Sequence, residues 1–195
     1  RDAFVAQLVE ELGVGTDREF EAFVDFGTFM PPAPPVFIGM TQYDSVDDFT
    51  AAGEALGTSP EAGAFFASFT PEAFTALRPL EPDTDVDLAG IANGDGQVLE
   101  VAVRDLSTYS DFVEADYESS RDAFLPLLAM QPGFVAEFQW VSALDPNVVV
   151  GMTVYESADA FQTISSNPEF AGSAVATTFL GTYPPLVGYV SNVVK

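Results

Sequence analysis

The sequence contains no cysteine and no histidine, and only six of its 195 residues are basic. Without cysteine there is no disulfide, zinc–thiolate site, iron–sulfur cluster or thiol nucleophile. Without histidine there is no imidazole base, no histidine-bound haem or metal, and no Ser-His-Asp triad. No apolar run approaches the roughly eighteen residues that a membrane-spanning helix needs. These absences exclude a large part of enzyme chemistry before any motif is considered.

The charge of the chain is strongly negative, with 30 acidic residues against six basic ones and a net charge of −24. Such a chain repels phosphate backbones and anionic bilayers, so we expect no nucleic-acid partner and no membrane-surface partner. The acid excess is typical of solubility in a salty environment, where screening weakens self-repulsion, and a specific cationic partner is the alternative. A salt-adapted cytoplasm and an exported, marine-type setting both fit. Because the first residue is Arg1 and not methionine, we expect a processed or partial chain.

Two parts of the sequence repeat each other. Residues 38–49 align with residues 150–161, and seven of the twelve positions are identical. Upstream, the tetrapeptide Arg-Asp-Ala-Phe occurs at 1–4 and again at 121–124. Several anchors in one order indicate a tandem duplication. We predict a first unit at 1–80, a linker at 81–96 and a second unit at 97–195.

The second unit has the clearer element pattern, β-α-β-β-α-β, from alternating apolar residues in strands and apolar stripes in helices. The predicted elements are a strand at 97–105, a helix at 121–130, strands at 134–141 and 148–156, a helix capped by Ser157, and a strand at 186–194. Pro126 falls inside the first of these helices and predicts a kink or a late start.

The first unit shows α-β-β-α-β and lacks an opening strand. Its predicted elements are a helix at 2–12, strands near 19–27 and 36–43, a helix capped by Ser45, and a strand near 73–80. The missing strand either lies upstream of Arg1 or is replaced by residues 85–92 folding back. The acidic linker from Asp83 lacks the glycine and the final acidic residue of a calcium-binding loop, so we interpret it as solvated and predict no metal site.

Two short motifs carry a family resemblance. They are the turn Gln131-Pro132-Gly133-Phe134 and the strand-to-helix junction Tyr155-Glu156-Ser157, which Tyr43-Asp44-Ser45 repeats in the first unit. Together with the element order, they resemble the antibiotic-biosynthesis-monooxygenase-like family of the dimeric α+β barrel superfamily, whose junction commonly reads Trp-Glu-Ser. The resemblance implies an α+β chain of two tandem ferredoxin-like units that form a dimeric α+β barrel within one chain.

The resemblance also implies a small-molecule function. Some members of the family oxidise polycyclic aromatic or quinol substrates with O₂ and with no metal or flavin, whereas haem-degrading members need a histidine that is absent here. We therefore expect a cofactor-independent monooxygenase acting on an aromatic or quinol-like compound. The alternative is a non-catalytic ligand-binding or partner-docking subunit, with an open sheet edge and the proline-rich loop at 29–35 as docking surface.

Four residues are candidates for catalysis, namely Tyr155, Tyr43, Arg104 and Glu137. The tyrosines would bond to substrate oxygen atoms, and Arg104 would stabilise developing negative charge. With no histidine, proton removal falls to a buried carboxylate with a raised pKa, Glu137 or Glu100. In the alternative interpretation the tyrosines anchor the start of a helix, and Arg104 pairs with one of the two glutamates.

Four aromatic residues are candidates for substrate binding, namely Trp140, Phe138, Phe26 and Phe134. Trp140 is the only tryptophan, and by strict alternation it shares a strand face with Phe134 and Phe138. A ring in that position can stack on a flat substrate or fill the core between layers.

Overall fold

Seven strands form one antiparallel sheet in the computed structural model, which describes residues 2–7, 16–72, 74–82 and 84–194. The strands are β1 (Thr16–Asp25), β2 (Phe37–Gln42), β3 (Leu77–Pro79), β4 (Val98–Asp105), β5 (Phe134–Ser142), β6 (Val148–Tyr155) and β7 (Val187–Val193). The helices are α1 (Asp2–Ala6), α2 (Val46–Leu56), α3 (Pro60–Phe66), α4 (Glu114–Ala129), α5 (Ala158–Ser166), α6 (Pro168–Ala171) and α7 (Ala174–Thr182). The predicted α+β class is confirmed, and within the described residues no strand precedes β1.

The order of the strands across the sheet is β2-β1-β7-β4-β6-β5-β3. Strand β1 pairs with β7, and β3 pairs with β5, so the four strands of the second half lie together and the strands of the first half flank them on both sides of one continuous sheet. The sheet is curled, and its inner face buries an apolar cluster. The tandem duplication and the unit boundaries at 80 and 97 stay predictions.

The two faces of the sheet bury different residues, as strand alternation requires. The outer face lies under α4, α5 and α7, where Tyr155, Phe124 and Phe179 belong to one buried cluster. The inner face holds Phe20, Leu99 and a second cluster from the neighbouring strands. This division decides which polar side chains can meet between the sheet and the helices.

Both predicted serine caps are confirmed. The Ser45 hydroxyl accepts from the Asp48 N–H at 3.1 Å at the start of α2. The Ser157 hydroxyl accepts from the Ala160 N–H at 3.1 Å at the start of α5. A cap of this kind satisfies one N–H that the helix leaves unpaired, so the residue type alone located both helix starts.

Helix α4 begins at Glu114, seven residues before the predicted start at 121, so the expectation of a late start is wrong. Its first two turns are mostly polar and exposed, and only Tyr117 is buried there, which hid the helical period. Pro126 lies within the last turns, where it removes one backbone N–H. The helix continues past it, because the Met130 N–H still donates to the Pro126 carbonyl at 3.2 Å.

The predicted solvated linker is wrong for residues 88–92. Leu88, Ile91 and Ala92 are buried against the inner face of the sheet. The Gln42 side chain fixes this segment by accepting from the Leu88 N–H at 2.8 Å. The segment does fold back on the sheet, but as a single 3₁₀ turn and not as the missing strand.

One further predicted strand is shorter than expected, and one predicted helix is described only in part. The strand predicted near 73–80 is limited to β3, although single backbone hydrogen bonds continue on both sides of it, from the Leu80 N–H to the Gln139 carbonyl and from the Ala143 N–H to the Ala76 carbonyl, both at 2.8 Å. The helix predicted at 2–12 is described only as far as Gln7, and α1 ends at Ala6. Residues 8–12 of the predicted helix, residue 73 of the predicted strand and residue 83 of the predicted linker lie outside the described residues.

We expect Gly188→Ala to destabilise the fold by about 1–3 kcal/mol, because the site has no room for a methyl group. An added Cβ would lie 2.3 Å from Cδ2 of Phe26. The ring cannot easily withdraw, since the Phe26 N–H donates to the Gly188 carbonyl at 3.0 Å. Urea denaturation gives the free energy of unfolding. In the control Gly53→Ala, within α2, no atom lies within 4 Å of the new Cβ. A gain of up to about 1 kcal/mol is expected there, and equal effects of both changes would contradict the packing.

Candidate functional site

A group of polar side chains lies between the sheet and the helices, on the three adjacent strands β4, β6 and β5. Alternation places these side chains on the outer face, opposite the apolar residues of the inner face. The group consists of Glu100 and Arg104 from β4, Thr153 and Tyr155 from β6, and Glu137 and Gln139 from β5. Antiparallel pairing brings them together, with Glu100 opposite Thr153 and Glu137 also opposite Thr153.

Glu137 is a buried carboxylate of this group whose acidity is strongly altered. It accepts hydrogen bonds from the Thr153 hydroxyl and from the Gln139 side-chain amide. Burial raises its pKa from 4.5 to about 8, against the lowering effect of the Thr153 hydrogen bond, and the nearby charge of Glu100 raises it further. A carboxyl group with this pKa can accept and return a proton close to neutral pH.

Tyr155 and Glu100 form the second hydrogen-bonded pair. The Tyr155 hydroxyl donates to Oε2 of Glu100 at 2.5 Å. Burial raises the pKa of Glu100, and the Tyr155 hydrogen bond and the Arg104 charge lower it in part. Burial and the Glu100 charge hold the pKa of Tyr155 well above 10. The hydroxyl therefore bonds to a carboxylate across the sheet and does not anchor the helix start through backbone atoms.

Arg104 is almost enclosed, with 6% of its surface exposed. Its Nε donates to the Tyr183 carbonyl at 2.8 Å, and its guanidinium lies 4.9 Å from the centroid of the Phe179 ring. Within the described chain it has no carboxylate in ion-pair contact and its two Nη groups have no hydrogen-bond acceptor. The alternative ion pair with Glu100 or Glu137 is therefore not formed, and the charge is available to a ligand.

Gly151 on β6 gives these groups room. A Cβ at this position would lie 3.2 Å from Oε1 of Glu137 and from Nε2 of Gln139, and 4.0 Å from Nη1 of Arg104. A side chain at this position would displace the Glu137 carboxylate and the Gln139 amide, whereas Arg104 would remain in ordinary contact. The glycine therefore lets Glu137 and Gln139 lie close to the sheet, on the same face as Arg104.

A cleft of about 330 Å³ opens between the loop after β4 and the loop before β7. Tyr109, Phe112 and Tyr183 supply its rings, and Asp111 lies at its rim. The Tyr109 hydroxyl donates to the Pro184 carbonyl at 2.7 Å and joins the two loops. Tyr183 also carries the carbonyl that holds Arg104. The cleft is within the size range of pockets for small aromatic ligands.

The structure brings together three of the four candidate catalytic residues, Tyr155, Arg104 and Glu137. The fourth, Tyr43, packs in a separate cluster with Phe4 and Phe65 beside α1 and α3. Burial raises the pKa of Tyr43, and the charge of Asp17 adds to the effect.

The candidate substrate-binding residues are divided between the two faces. Trp140 and Phe138 pack on the inner face, across the sheet from Arg104. Phe134 packs on the outer face, so the predicted shared face is wrong for it, because the pairing register shifts between Phe134 and Ala136. Phe26 is also on the outer side, where its ring stacks on Phe161 at 6.3 Å.

Sequence reasoning missed Tyr109, Tyr117, Phe179 and Tyr183, the aromatic residues around Arg104. The first two fall in a stretch whose polar composition indicated a connection, and the last two are on or after α7, which the repeat did not predict. The sequence contains six tyrosines, and two of them, Tyr109 and Tyr117, come shortly before the helix predicted at 121–130. That spacing was the one sign in the sequence of an aromatic cluster near this helix.

The seven-stranded antiparallel sheet and its helices have the fold of a dimeric α+β barrel, as predicted. A solved anthrone oxidase-like protein aligns with 100% of this chain and 84% of its own, with 14% identity and a TM-score of 0.58. A candidate monooxygenase from Fusobacterium nucleatum aligns with the same shares, with 10% identity and a TM-score of 0.51. At these identities the similarity is one of fold.

A third solved structure is SnoaB, a cofactor-independent oxygenase from Streptomyces nogalater. It aligns with 51% of this chain and 92% of its own, with 21% identity and a TM-score of 0.38. No protein-family model and no curated protein sequence matches the chain. Among the described helices, none is both long and apolar enough to cross a membrane.

Proposed function

We propose that the protein is a cofactor-independent monooxygenase that oxidises an aromatic or quinol-like compound with O₂. The observation that carries this proposal is that Glu137, whose pKa is raised to about 8, shares the outer face of the sheet with Arg104, an enclosed cation with no carboxylate in ion-pair contact within the described chain. A base and a cation on one face are what formation of a substrate anion requires. The anthrone oxidase-like relative in fold supports the substrate class.

The proposed reaction converts a ring CH₂ group into a carbonyl group. Glu137 takes a proton from this carbon, and Arg104 stabilises the resulting anion. The anion gives an electron to O₂, and the two radicals combine into a carbon-bound peroxide. The O–O bond then breaks, the remaining ring hydrogen leaves as a proton, and two protons, one of them returned by Glu137, convert the departing oxygen into water. One CH₂ and one O₂ thus give one C=O and one H₂O.

The test uses 1,8-dihydroxyanthrone as substrate and an oxygen electrode, with protein treated with a chelator and shown to be free of flavin by its absorption spectrum. We expect one O₂ consumed for each quinone formed, at a rate that follows protein concentration. A rate that returns only with an added metal or flavin would contradict the proposal. So would a rate no greater than that of the substrate in buffer.

A second candidate function, docking onto a protein partner, is favoured by one observation. Strand β2 is an edge of the sheet, and beside it Phe29, Met30 and Phe37 are 73%, 62% and 55% exposed. Exposed apolar side chains next to an open strand edge are typical of strand addition. Native mass spectrometry of protein purified from its source separates the two functions. A ligand-free chain within a larger complex favours docking, and a monomer that retains an aromatic compound favours the enzyme.

A further inference from the structure

Tyr117 is a buried phenol whose hydroxyl has no hydrogen-bond partner among the residues that the structure describes. It is 4% exposed, and its ring lies 5.1 Å from that of Tyr183 and 6.1 Å from that of Phe179. Within the described chain its hydroxyl neither donates nor accepts a hydrogen bond. The hydroxyl is also not sealed from solvent, because Nε1 of Trp140 is the one unpaired polar side-chain atom of the described residues that is. The hydroxyl therefore reaches an accessible space. A phenol O–H at the edge of an accessible space can donate a hydrogen bond to an oxygen atom of a ligand.

Arg104 reaches the same place from the opposite layer. Both side chains contact Phe179 and Tyr183, Arg104 from β4 and Tyr117 from α4. Arg104 offers unpaired N–H groups, and Tyr117 offers an O–H group. Burial raises the pKa of Tyr117, although Arg104 and Arg121 lower it in part, so the hydroxyl keeps its proton and remains a donor at neutral pH.

We propose that Arg104 and Tyr117 together bind one ionised oxygen of an aromatic ligand, a phenolate or an enolate, between strand β4 and helix α4. A guanidinium and a phenol that converge on one oxygen form charge-assisted hydrogen bonds, which are the stronger kind. The inference rests on the proposed function for the aromatic class of the ligand. It adds Tyr117 to the binding site and specifies that the ligand carries an oxygen that can ionise.

The ligand has to ionise after it enters. A chain with a net charge of −24 repels anions from solution, so the neutral hydroxyl compound enters first. Its O–H bond then breaks, the proton passes to the carboxylate of Glu137, and the ligand oxygen keeps the electron pair. The net charge of the site plus ligand does not change in this step, because one carboxylate is neutralised as one phenolate forms.

The test measures binding and needs no oxidation. The probes are 4-nitrophenol, whose anion has its own visible absorption band, and 4-nitroanisole, its methyl ether, which has no proton to lose. Calorimetric titrations are made with the wild type, Tyr117→Phe, Arg104→Met and the control Tyr189→Phe. Tyr189 lies on β7, next to β4, but it alternates with Val190 of the outer cluster and so faces away from this site, and its hydroxyl donates to Glu72 at 2.7 Å.

We expect the visible band of the anion to grow when 4-nitrophenol binds to the wild type. Tyr117→Phe is expected to weaken 4-nitrophenol about tenfold, the effect of losing a hydrogen bond to a charged group, and to leave the affinity for 4-nitroanisole unchanged. Arg104→Met is expected to act in the same direction, and Tyr189→Phe to have no effect. If Tyr117→Phe leaves 4-nitrophenol unchanged, or weakens both probes equally, the inference is wrong.

The outcomes of this test and of the oxidation test are independent. If 1,8-dihydroxyanthrone is not oxidised but 4-nitrophenolate binds through Tyr117, the anion site stands and the monooxygenase proposal fails. If the anthrone is oxidised and Tyr117→Phe binds 4-nitrophenol as the wild type does, the monooxygenase stands and the anion site fails.

Discussion

Replacing Glu137 by glutamine is expected to lower kcat for 1,8-dihydroxyanthrone by about 10²- to 10⁴-fold, the usual contribution of a positioned base. Glutamine keeps the shape of the side chain and can still bond to Thr153 and Gln139, but it cannot take a proton. The matched control is Glu118→Gln, an equal change of charge at an exposed position within α4. Initial rates of O₂ consumption measure the effect.

The pH dependence of the rate gives an independent check on the same residue. Glu137 acts as a base only in its ionised form, and its pKa is raised to about 8 by burial. The wild-type rate is therefore expected to rise with pH and to level off above about pH 8. The residual rate of the glutamine variant is expected to lack that rise. A loss of less than about threefold in kcat, or an unchanged pH profile in the variant, would remove Glu137 from the mechanism.

The second large effect is on stability. The folded protein holds the Glu137 proton up to about pH 8, whereas in the unfolded chain the same group loses it near 4.5. Below pH 4.5 this carboxyl group is protonated in both the folded and the unfolded chain, so it does not affect stability. As pH rises from 4.5 to 8, only the unfolded chain releases the proton, and the free energy of unfolding falls by at most about 1.4 kcal/mol for each pH unit.

The measurement compares urea denaturation of the wild type and of Glu137→Gln at several pH values, in the same high salt concentration. Glutamine cannot ionise, so the variant is expected to gain stability over the wild type as pH rises from 4.5 to 8. Other acidic groups, Glu100 included, are present in both proteins and their effects largely cancel in the difference. A difference in the free energy of unfolding that does not change with pH would show that Glu137 is not buried as the structure has it.

Local features of the fold could be predicted from the sequence because they depend on neighbouring residues. Alternation along β4 predicted that Arg104 and Leu99 lie on opposite faces of the strand, and the serine caps located the starts of α2 and α5. Features that depend on distant pairing could not. The burial of Leu88 needs the curled sheet above it, and the three residues of β3 are a strand only because β5 lies beside them.

The candidate site was predicted in part for the same reason. Tyr155, Arg104 and Glu137 share the outer face by simple alternation, so their types and positions were sufficient. One bulge in β5 invalidated the alternation for Phe134, and it separates that residue from Trp140. Tyr117 was hidden because it is the single buried residue in the polar first turns of α4. Its importance depends on Arg104, which lies on another layer.

The central claim is that this site removes a proton from an aromatic substrate without any cofactor. The most direct measurement is the absorption spectrum of 1,8-dihydroxyanthrone bound to the protein without oxygen, recorded at pH 9 against Glu137→Gln. The account predicts that the spectrum of the substrate anion forms with the wild type and not with the variant, and that admission of O₂ converts it to the quinone. A bound substrate that stays neutral, or the same anion spectrum with both proteins, would contradict it.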